Sequence, residues 1–375
     1  MKVTVVGAGM VGSTTALRLL EDGTADPLVI VDVVEGLAKA VALDLGQSAP
    51  LRHHTGEIEG GSEYGPTEGS DLVVITAGRP RSPGMSRADL VDTNAEIVRG
   101  VVEEVRRRSP DAILVVVTNP LDEMTTLAWH ESGFPCERVV GMAGVLDTSR
   151  FAYFISRRLG VRPDEVEALV LGSHGETMVP LPRFSRVGGR PLTELLAAHE
   201  VAELVARTSD AGAELVSLLP RGSAWMAPSA AIADMAGAIA HDQHRVVSGC
   251  AYLRGEYGLH DVYLGVPVRL GRRGVEEIVE LDLQPEELER LRAAAAMVRE
   301  RVADLGLSSP ASNGQGPAPT DAPSAPEELT SVEELRRRSK VRRAVEQTLW
   351  QEGHVPAADE VERLTDAVLE RIGRR

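Results

Sequence analysis

Three glycines near the N-terminus have a spacing that suits phosphate binding. Residues 7–12, GAGMVG, follow the apolar stretch 2–6 and open a helix-like stretch, 10–21. In such a turn the first glycine permits a tight bend, the second lets a pyrophosphate approach the backbone, and the third lets helix and strand pack closely. The helix start supplies amide donors and the positive end of its dipole. The alternative is a glycine-rich turn that binds no ligand.

Asp32 completes the pattern of a dinucleotide site. It ends the next strand-like stretch, 28–32, about 20 residues after Gly12, which is the usual separation. A carboxylate there would hydrogen-bond the adenosine ribose hydroxyls. Its charge would repel a 2′-phosphate, so the two features together predict NAD rather than NADP as the cofactor.

A histidine turn and an Asp–Arg pair are further candidates for chemistry. His174 lies between two glycines at the end of the apolar stretch 166–171, and we expect it to be exposed and closely approachable. Asp147 and Arg150 open a helix-like stretch three residues apart, so they share a helix face. The alternatives are an ordinary loop histidine and a helix N-cap beside a surface arginine.

Two loops follow predicted parallel strands, where α/β sheets bind their ligands. The basic loop 77–87 contains Arg81 and Arg87 and follows the apolar run 71–76. Asn119 follows the next run, 113–117. We expect the basic loop to cover a ligand; a solvated surface loop is the alternative.

The elements that must position these residues alternate in type. Strand-like and helix-like stretches alternate through the first half of the chain, which predicts a Rossmann-type doubly wound parallel sheet over residues 1–144. After about Gly144 long helical stretches, one of them over 192–219, and Gly-separated strands predict a mixed α+β substrate domain over 145–305. The run 306–330 lacks large apolar residues and predicts a flexible linker. Residues 331–375 predict a helical extension of unknown role.

Composition restricts the classes of function. The net charge of −16 argues against non-specific binding to nucleic acid or to an anionic membrane. Two cysteines build neither a disulfide framework nor a multi-thiolate zinc site, so we expect no metal and a reducing compartment. No apolar run reaches membrane-spanning length, and the strand-like start leaves no room for a signal peptide. These observations predict a cytoplasmic location.

The extension carries six basic residues in the eight of segment 336–343. Nucleic-acid binding is one interpretation, and a solvated helical face balanced by nearby glutamates is the other. The stretch 357–372 has an apolar stripe at helical spacing. It could dock on the body, self-associate or recruit a protein partner.

The motifs together resemble those of the lactate/malate dehydrogenase family, most closely the malate dehydrogenases built on the lactate dehydrogenase plan. The resemblance covers residues 1 to about 305. The matching stretches are VVGAGMVGSTTA, IVDVVEG, ALDL, ITAGRPRSPGMSRADL, NAEI, VTNPLD, GVLDTSRF, GSHGETMVPLPR and YGLHDVYLGVPVRLGRRGVEEI. One departure is Glu176, where the family usually has Asp.

The resemblance implies reversible hydride transfer between NADH and oxaloacetate, giving malate. It implies that His174 donates and accepts the proton and that Asp147 is its carboxylate partner. Arg150 would grip the substrate carboxylate, and Arg87 would polarise the keto oxygen. The residues expected to contact the cofactor are Gly7, Gly9, Met10, Val11, Gly12, Asp32, Asn94, Val117 and Asn119, the last also contacting substrate.

Arg81 is the residue that predicts the substrate. In the family, malate enzymes carry Arg at this position and lactate enzymes an uncharged side chain. A dicarboxylate would leave its second charge buried and unpaired without that Arg, and pyruvate would leave the Arg unpaired. The alternatives are a dehydrogenase for lactate or another 2-hydroxy acid, and a catalytically silent NAD-binding scaffold with a partner-binding tail. The resemblance also implies a homo-oligomer, dimer or tetramer, in the tricarboxylic acid cycle.

Overall fold

The computed structural model describes most of the chain up to residue 307. It covers residues 1–80 except 53 and 55, 87–219 except 176, 222–307, and the helical positions 363–364, 367–368 and 371. Arg81, Glu176, nearly all of the predicted linker and most of the predicted extension lie outside the described residues. Of Arg87 only the backbone is described.

The first half is built on six parallel strands. They pair in the order β3-β2-β1-β4-β5-β6, which confirms the predicted doubly wound sheet. The strands are β1 (Val3–Val6), β2 (Leu28–Val31), β3 (Ile58–Gly61), β4 (Leu72–Ile75), β5 (Ile113–Val116) and β6 (Val139–Gly141). The helices are α1 (Met10–Glu21), α2 (Glu35–Arg52), α3 (Arg87–Arg108) and α4 (Leu121–Ser132).

Both faces of the sheet are buried along every strand except the edge strand β3. In β4, Leu72 and Val74 face one hydrophobic core with α1 and α2, whereas Val73 and Ile75 face another with α3 and α4. Alternate residues point to opposite faces, so a strand covered by helices on both sides needs apolar residues at every position. That requirement explains why these strands appear in the sequence as unbroken apolar runs.

The second half extends the same sheet with antiparallel strands. β12 pairs with β6 at Cys250 and Gly141, and the order continues β12-β13-β8-β9. The strands are β7 (Val166–Glu167), β8 (Val170–Gly172), β9 (Met178–Pro180), β10 (Arg186–Val187), β11 (Arg190–Pro191), β12 (Arg245–Arg254), β13 (His260–Gly271) and β14 (Gly274–Ile278). The helices are α5 (Gly144–Leu159), α6 (Leu192–Leu195), α7 (Ala198–Leu218), α8 (Met226–Ala240) and α9 (Pro285–Asp304).

Two predicted elements are divided in the structure. The predicted strand 166–171 is β7 and β8, which belong to different sheets. The predicted helix 192–219 is α6 and α7, because Leu196 and Ala197 are extended and the Ala197 amide donates to the Glu200 carboxylate at 2.9 Å. Side-chain periodicity alone does not detect such a break, since both sides of it have the same apolar spacing.

One row of paired strand residues crosses both halves and brings the candidate site together. The row runs through Val6, Ile75, Val116, Gly141, Cys250, Gly265 and Gly172. The turn after β8 is therefore level with the loops that leave β1, β4 and β5. No helix among the described residues is both long and apolar enough to cross a bilayer.

Candidate active site

The glycine turn between β1 and α1 is held by close backbone packing. Gly7 has φ +105°, and a Cβ on Gly12 would lie 1.8 Å from the Gly7 carbonyl oxygen. A Cβ on Gly9 would meet nothing within 4 Å. Gly7 and Gly12 are thus required by the protein's own packing, whereas Gly9 leaves open space beside the turn.

The surroundings of the turn fit the phosphates and ribose of a dinucleotide. Gly9 is the N-cap of α1 and has no side chain to bond the free amides of the first turn. The first turn also contains no acidic residue, so no side chain within it neutralises the positive end of the helix dipole. Asp32 accepts hydrogen bonds from the Ala8 amide at 2.7 Å and the Val34 amide at 2.8 Å. These two bonds fix the carboxylate beside the turn. Met10 is exposed and Val11 partly buried at the start of α1.

Asn94 joins the loops after β4 and β5. Its side chain is buried. Its Oδ1 accepts a hydrogen bond from the Arg79 amide at 2.7 Å, and its Nδ2 donates one to the Asn119 carbonyl at 2.6 Å. Asn119 itself is exposed, and the Val117 amide donates to the Ile75 carbonyl at 3.0 Å. Asn94 therefore positions the two loops whose residues are predicted to meet cofactor and substrate.

His174, Asp147 and Arg150 form one connected group. His174 Nδ1 lies 2.8 Å from Asp147 Oδ2, and Arg150 donates to Asp147 Oδ1 at 3.3 Å. The shared helix face predicted for Asp147 and Arg150 is confirmed by this ion pair. A Cβ on Gly144, the first residue of α5, would lie 1.9 Å from Ser248 Oγ. Only glycine therefore lets the start of α5 approach β12 this closely.

The expectation that His174 is exposed is wrong. Its side chain is 18 % exposed and that of Asp147 is 2 % exposed. The turn after β8 folds back against α4 and α5, which the flanking glycines do not reveal. Burial, the largest single effect, lowers the pKa of His174, but the Asp147 and Asp122 carboxylates together raise it more, and the net shift is upward. The pair therefore favours the imidazolium form.

A carboxyl group that the sequence analysis missed lies behind the histidine turn. Asp122 accepts the backbone amide of His174 at 3.0 Å and is 2 % exposed. Burial and the neighbouring Glu123 raise the pKa of Asp122 to about 6. Acidic residues are common in the first turn of a helix, so its position in α4 gave no signal of this role.

The two loop arginines cannot be placed in this group. Arg81 lies outside the described residues, as does the side chain of Arg87, and the roles predicted for them stay predictions. What the structure does fix is the chain on either side, with the Arg79 main chain bonded to Asn94 and α3 starting at Arg87.

Comparison with known families matches both halves of the body. The lactate/malate dehydrogenase NAD binding domain matches residues 1–141, and the lactate/malate dehydrogenase alpha/beta C-terminal domain matches residues 144–305. Among curated relatives, malate dehydrogenase of Salinibacter ruber is 49 % identical over 81 % of this chain and 97 % of its own. Malate dehydrogenase of Thermomicrobium roseum is 50 % identical over 80 % of this chain and 97 % of its own.

Solved structures of malate and lactate dehydrogenases also resemble this chain. The malate dehydrogenase structure from Salinibacter ruber has a TM-score of 0.78 and 47 % identity, covering 82 % of this chain and 98 % of that one. A lactate dehydrogenase from Cryptosporidium parvum, complexed with lactic acid and NAD, has a TM-score of 0.79 and 38 % identity, covering 82 % and 98 %. The extension beyond residue 305 lies outside both family matches.

Proposed function

Since the chain belongs to the lactate/malate dehydrogenase family, we propose that it is an NAD-dependent malate dehydrogenase, which interconverts (S)-malate and oxaloacetate. The observation that carries the proposal is the buried His174–Asp147 pair, bonded at 2.8 Å with Arg150 on the same carboxylate. The lactate alternative is not favoured, because the curated relatives at about half identity are malate dehydrogenases.

His174 would move the proton. Its Nδ1 is engaged by Asp147, so Nε2 is the ring nitrogen that would accept the proton of the malate hydroxyl. Asp147 holds the ring in one tautomer and stabilises the imidazolium that forms. In the reverse direction the same nitrogen returns the proton to the oxygen of oxaloacetate.

Three arginines would bind the substrate. Arg150 presents a planar fork suited to the carboxylate next to the reacting carbon. We assign the distal carboxylate to Arg81 and the keto oxygen to Arg87, on the strength of the family resemblance. In a protein of net charge −16, these residues would supply the local positive charge that a dianion requires.

NAD, when bound, would take the hydride from the C2 carbon of malate. Gly9, with open space beside it, and the start of α1, Met10 and Val11, would face the pyrophosphate, while Gly7 and Gly12 keep the turn tight. Asp32 would accept hydrogen bonds from the ribose hydroxyls. Asn94, Val117 and Asn119 would shape the nicotinamide end, Asn94 by holding the neighbouring loops.

The remaining assignments extend this proposal to the whole chain. We assign residues 1–144 to NAD binding, 145–305 to substrate binding and catalysis, 306–330 to a linker and 331–375 to a helical extension. The two family matches, which meet near residue 142, support the first division. We further assign a homo-oligomer, a cytoplasmic location and a place in the tricarboxylic acid cycle, in keeping with the family.

A steady-state assay tests the proposal directly. NADH oxidation is followed by absorbance with oxaloacetate and then with pyruvate, using the full chain. We expect a kcat/KM for oxaloacetate at least about 100-fold above that for pyruvate, because one unpaired buried charge costs several kcal/mol. Turnover of pyruvate alone would replace malate by lactate, and turnover of neither would overturn the proposal.

A further inference from the structure

A buried carboxyl group outside the predicted catalytic set joins three distant segments behind the active site. Asp122 is the second residue of α4. Its Oδ2 accepts a hydrogen bond from the His174 amide at 3.0 Å, and its Oδ1 accepts one from the Cys250 thiol of β12 at 3.3 Å. Asp122 thus connects the cofactor-binding half of the body to the histidine turn and to the middle of the sheet.

Burial makes this carboxyl group costly unless it is bonded. Both of its oxygens have a donor, and the amide end of α4 lies beside it. Burial and the Cys250–Asp122 contact raise the pKa of the thiol well above its ordinary value. The thiol therefore stays protonated and keeps donating. An apolar residue would avoid the cost, and the contacts of the acid identify what it contributes instead.

Charged groups reach His174 from two helices. α5 supplies Asp147 and Arg150, and α4 supplies Asp122. Asp147 and Asp122 raise the pKa of His174, whereas burial and Arg150 lower it. Asp122 itself faces Glu123 on its own helix, His174 on the turn and Cys250 on β12. Glu123 is also buried, and its carboxylate lies 3.9 Å from Arg301 of α9.

We propose that Asp122 is a positioning residue for proton transfer at His174: it anchors the main chain of the turn so that the imidazole meets Asp147, and its negative charge favours the protonated ring. The inference rests on the proposed function, since turnover of malate and oxaloacetate provides the readout. It assigns the first half of the chain a direct part in setting the basicity of a histidine in the second half.

The sign of the expected pH effect follows from the charge. Malate oxidation needs the neutral imidazole and oxaloacetate reduction needs the imidazolium. Removing the negative charge of Asp122 would destabilise the imidazolium. The rise of kcat/KM with pH for malate and its fall for oxaloacetate should therefore both move to lower pH.

Asp122→Asn tests the charge, because an asparagine keeps an oxygen for the His174 amide and can donate to the Cys250 sulfur. We expect the rise of kcat/KM for malate and its fall for oxaloacetate, the two limbs of the pH profile, to move down by on the order of half a pH unit or more. Glu123→Gln is the matched control, since it removes the neighbouring buried carboxylate, which lies 3.9 Å from Arg301. It should leave both limbs within about 0.2 unit of their unsubstituted positions.

Asp122→Ala tests the anchor. It leaves the His174 amide without its acceptor, so kcat should fall by about 10-fold or more, while Asp122→Asn should recover most of that loss. If Asp122→Asn moves the limbs no further than Glu123→Gln, the charge role is overturned. If the alanine and asparagine variants have equal kcat, the anchoring role is overturned.

An NMR titration keeps the inference testable without turnover and without a stable Asp122 variant. The His174 Cε1–H resonance of the unsubstituted protein, identified by its loss in His174→Asn, should respond to two ionisations, its own and that of Asp122. A single ionisation would overturn the inference. Failure of the dehydrogenase assay with a two-step titration would instead overturn only the proposed function.

Discussion

The glycine turn after β1 and the histidine turn after β8 lie along the same row of paired strand residues but are held in different ways. The glycine turn is shaped mainly by the packing of its own main chain, since a Cβ on Gly12 would lie 1.8 Å from the Gly7 carbonyl, and the side chains of Asp32 and Thr76 add hydrogen bonds to it. The histidine turn is held by side chains from two helices, Asp122 of α4 and Asp147 of α5. A locally held site can be recognised from a short motif. A site held from a distance depends on contacts that the motif does not contain.

The largest expected effect is on the histidine turn. His174→Asn removes the proton acceptor, and kcat should fall by about 10²–10⁴-fold. NADH binding, measured by fluorescence titration, should be unchanged within about 2-fold, because the glycine turn does not depend on this ring. An equal loss of NADH affinity would show that the two turns are coupled.

Two alanine variants separate packing from ligand space within the glycine turn. Gly12→Ala forces a Cβ into the Gly7 carbonyl and should lower the free energy of unfolding by about 1–3 kcal/mol. Gly9→Ala meets no protein atom within 4 Å and should leave stability unchanged, while weakening NADH binding by about 10-fold or more because the methyl occupies space reserved for the pyrophosphate. Thermal unfolding and NADH titration measure the pair. A destabilised Gly9→Ala would contradict the open space beside that residue.

The histidine turn should carry a stability cost that depends on pH. The pKa of Asp122 is raised from an ordinary 3.8 to about 6, so the stability linked to its protonation is fully present below pH 4 and is lost as the pH rises through 6. The free energy of unfolding of Asp122→Asn relative to the unsubstituted protein should therefore rise by about 2 kcal/mol between pH 4 and pH 7. Urea unfolding at the two pH values tests this. A constant difference would show that Asp122 titrates normally.

The smallest expected effect is on cofactor choice. Asp32→Asn keeps an acceptor for the Ala8 amide but removes the charge that would repel a 2′-phosphate. The preference for NADH over NADPH, measured as the ratio of their kcat/KM values, should fall by about 10-fold. The pH dependence of kcat/KM should not change. Asp122→Asn is the complementary control, since it should move the limbs and leave the cofactor preference intact. An unchanged preference in Asp32→Asn would remove the assigned role of its carboxylate.

Several parts of the fold follow from patterns that are local in the chain. The unbroken apolar runs of β1, β4 and β5 predict buried parallel strands, because each face of the sheet is covered by helices. β3 was not predicted, since its sequence IEGG contains one large apolar residue. It pairs with β2 through its backbone, and backbone pairing leaves no periodic signal in the side chains.

By itself the sequence determined the class of cofactor site and the helix face shared by Asp147 and Arg150, because turn geometry and helical spacing are properties of adjacent residues. The family resemblance in the sequence reaches about residue 305, where the C-terminal family match also ends. The burial of His174 and the contact of Asp122 with its main chain emerged from the tertiary structure, which also gave the geometry of the Asp147–His174 pair that the resemblance had implied. Those contacts join residues 27 and 52 positions apart, and such pairs are selected by how the sheet brings its loops together.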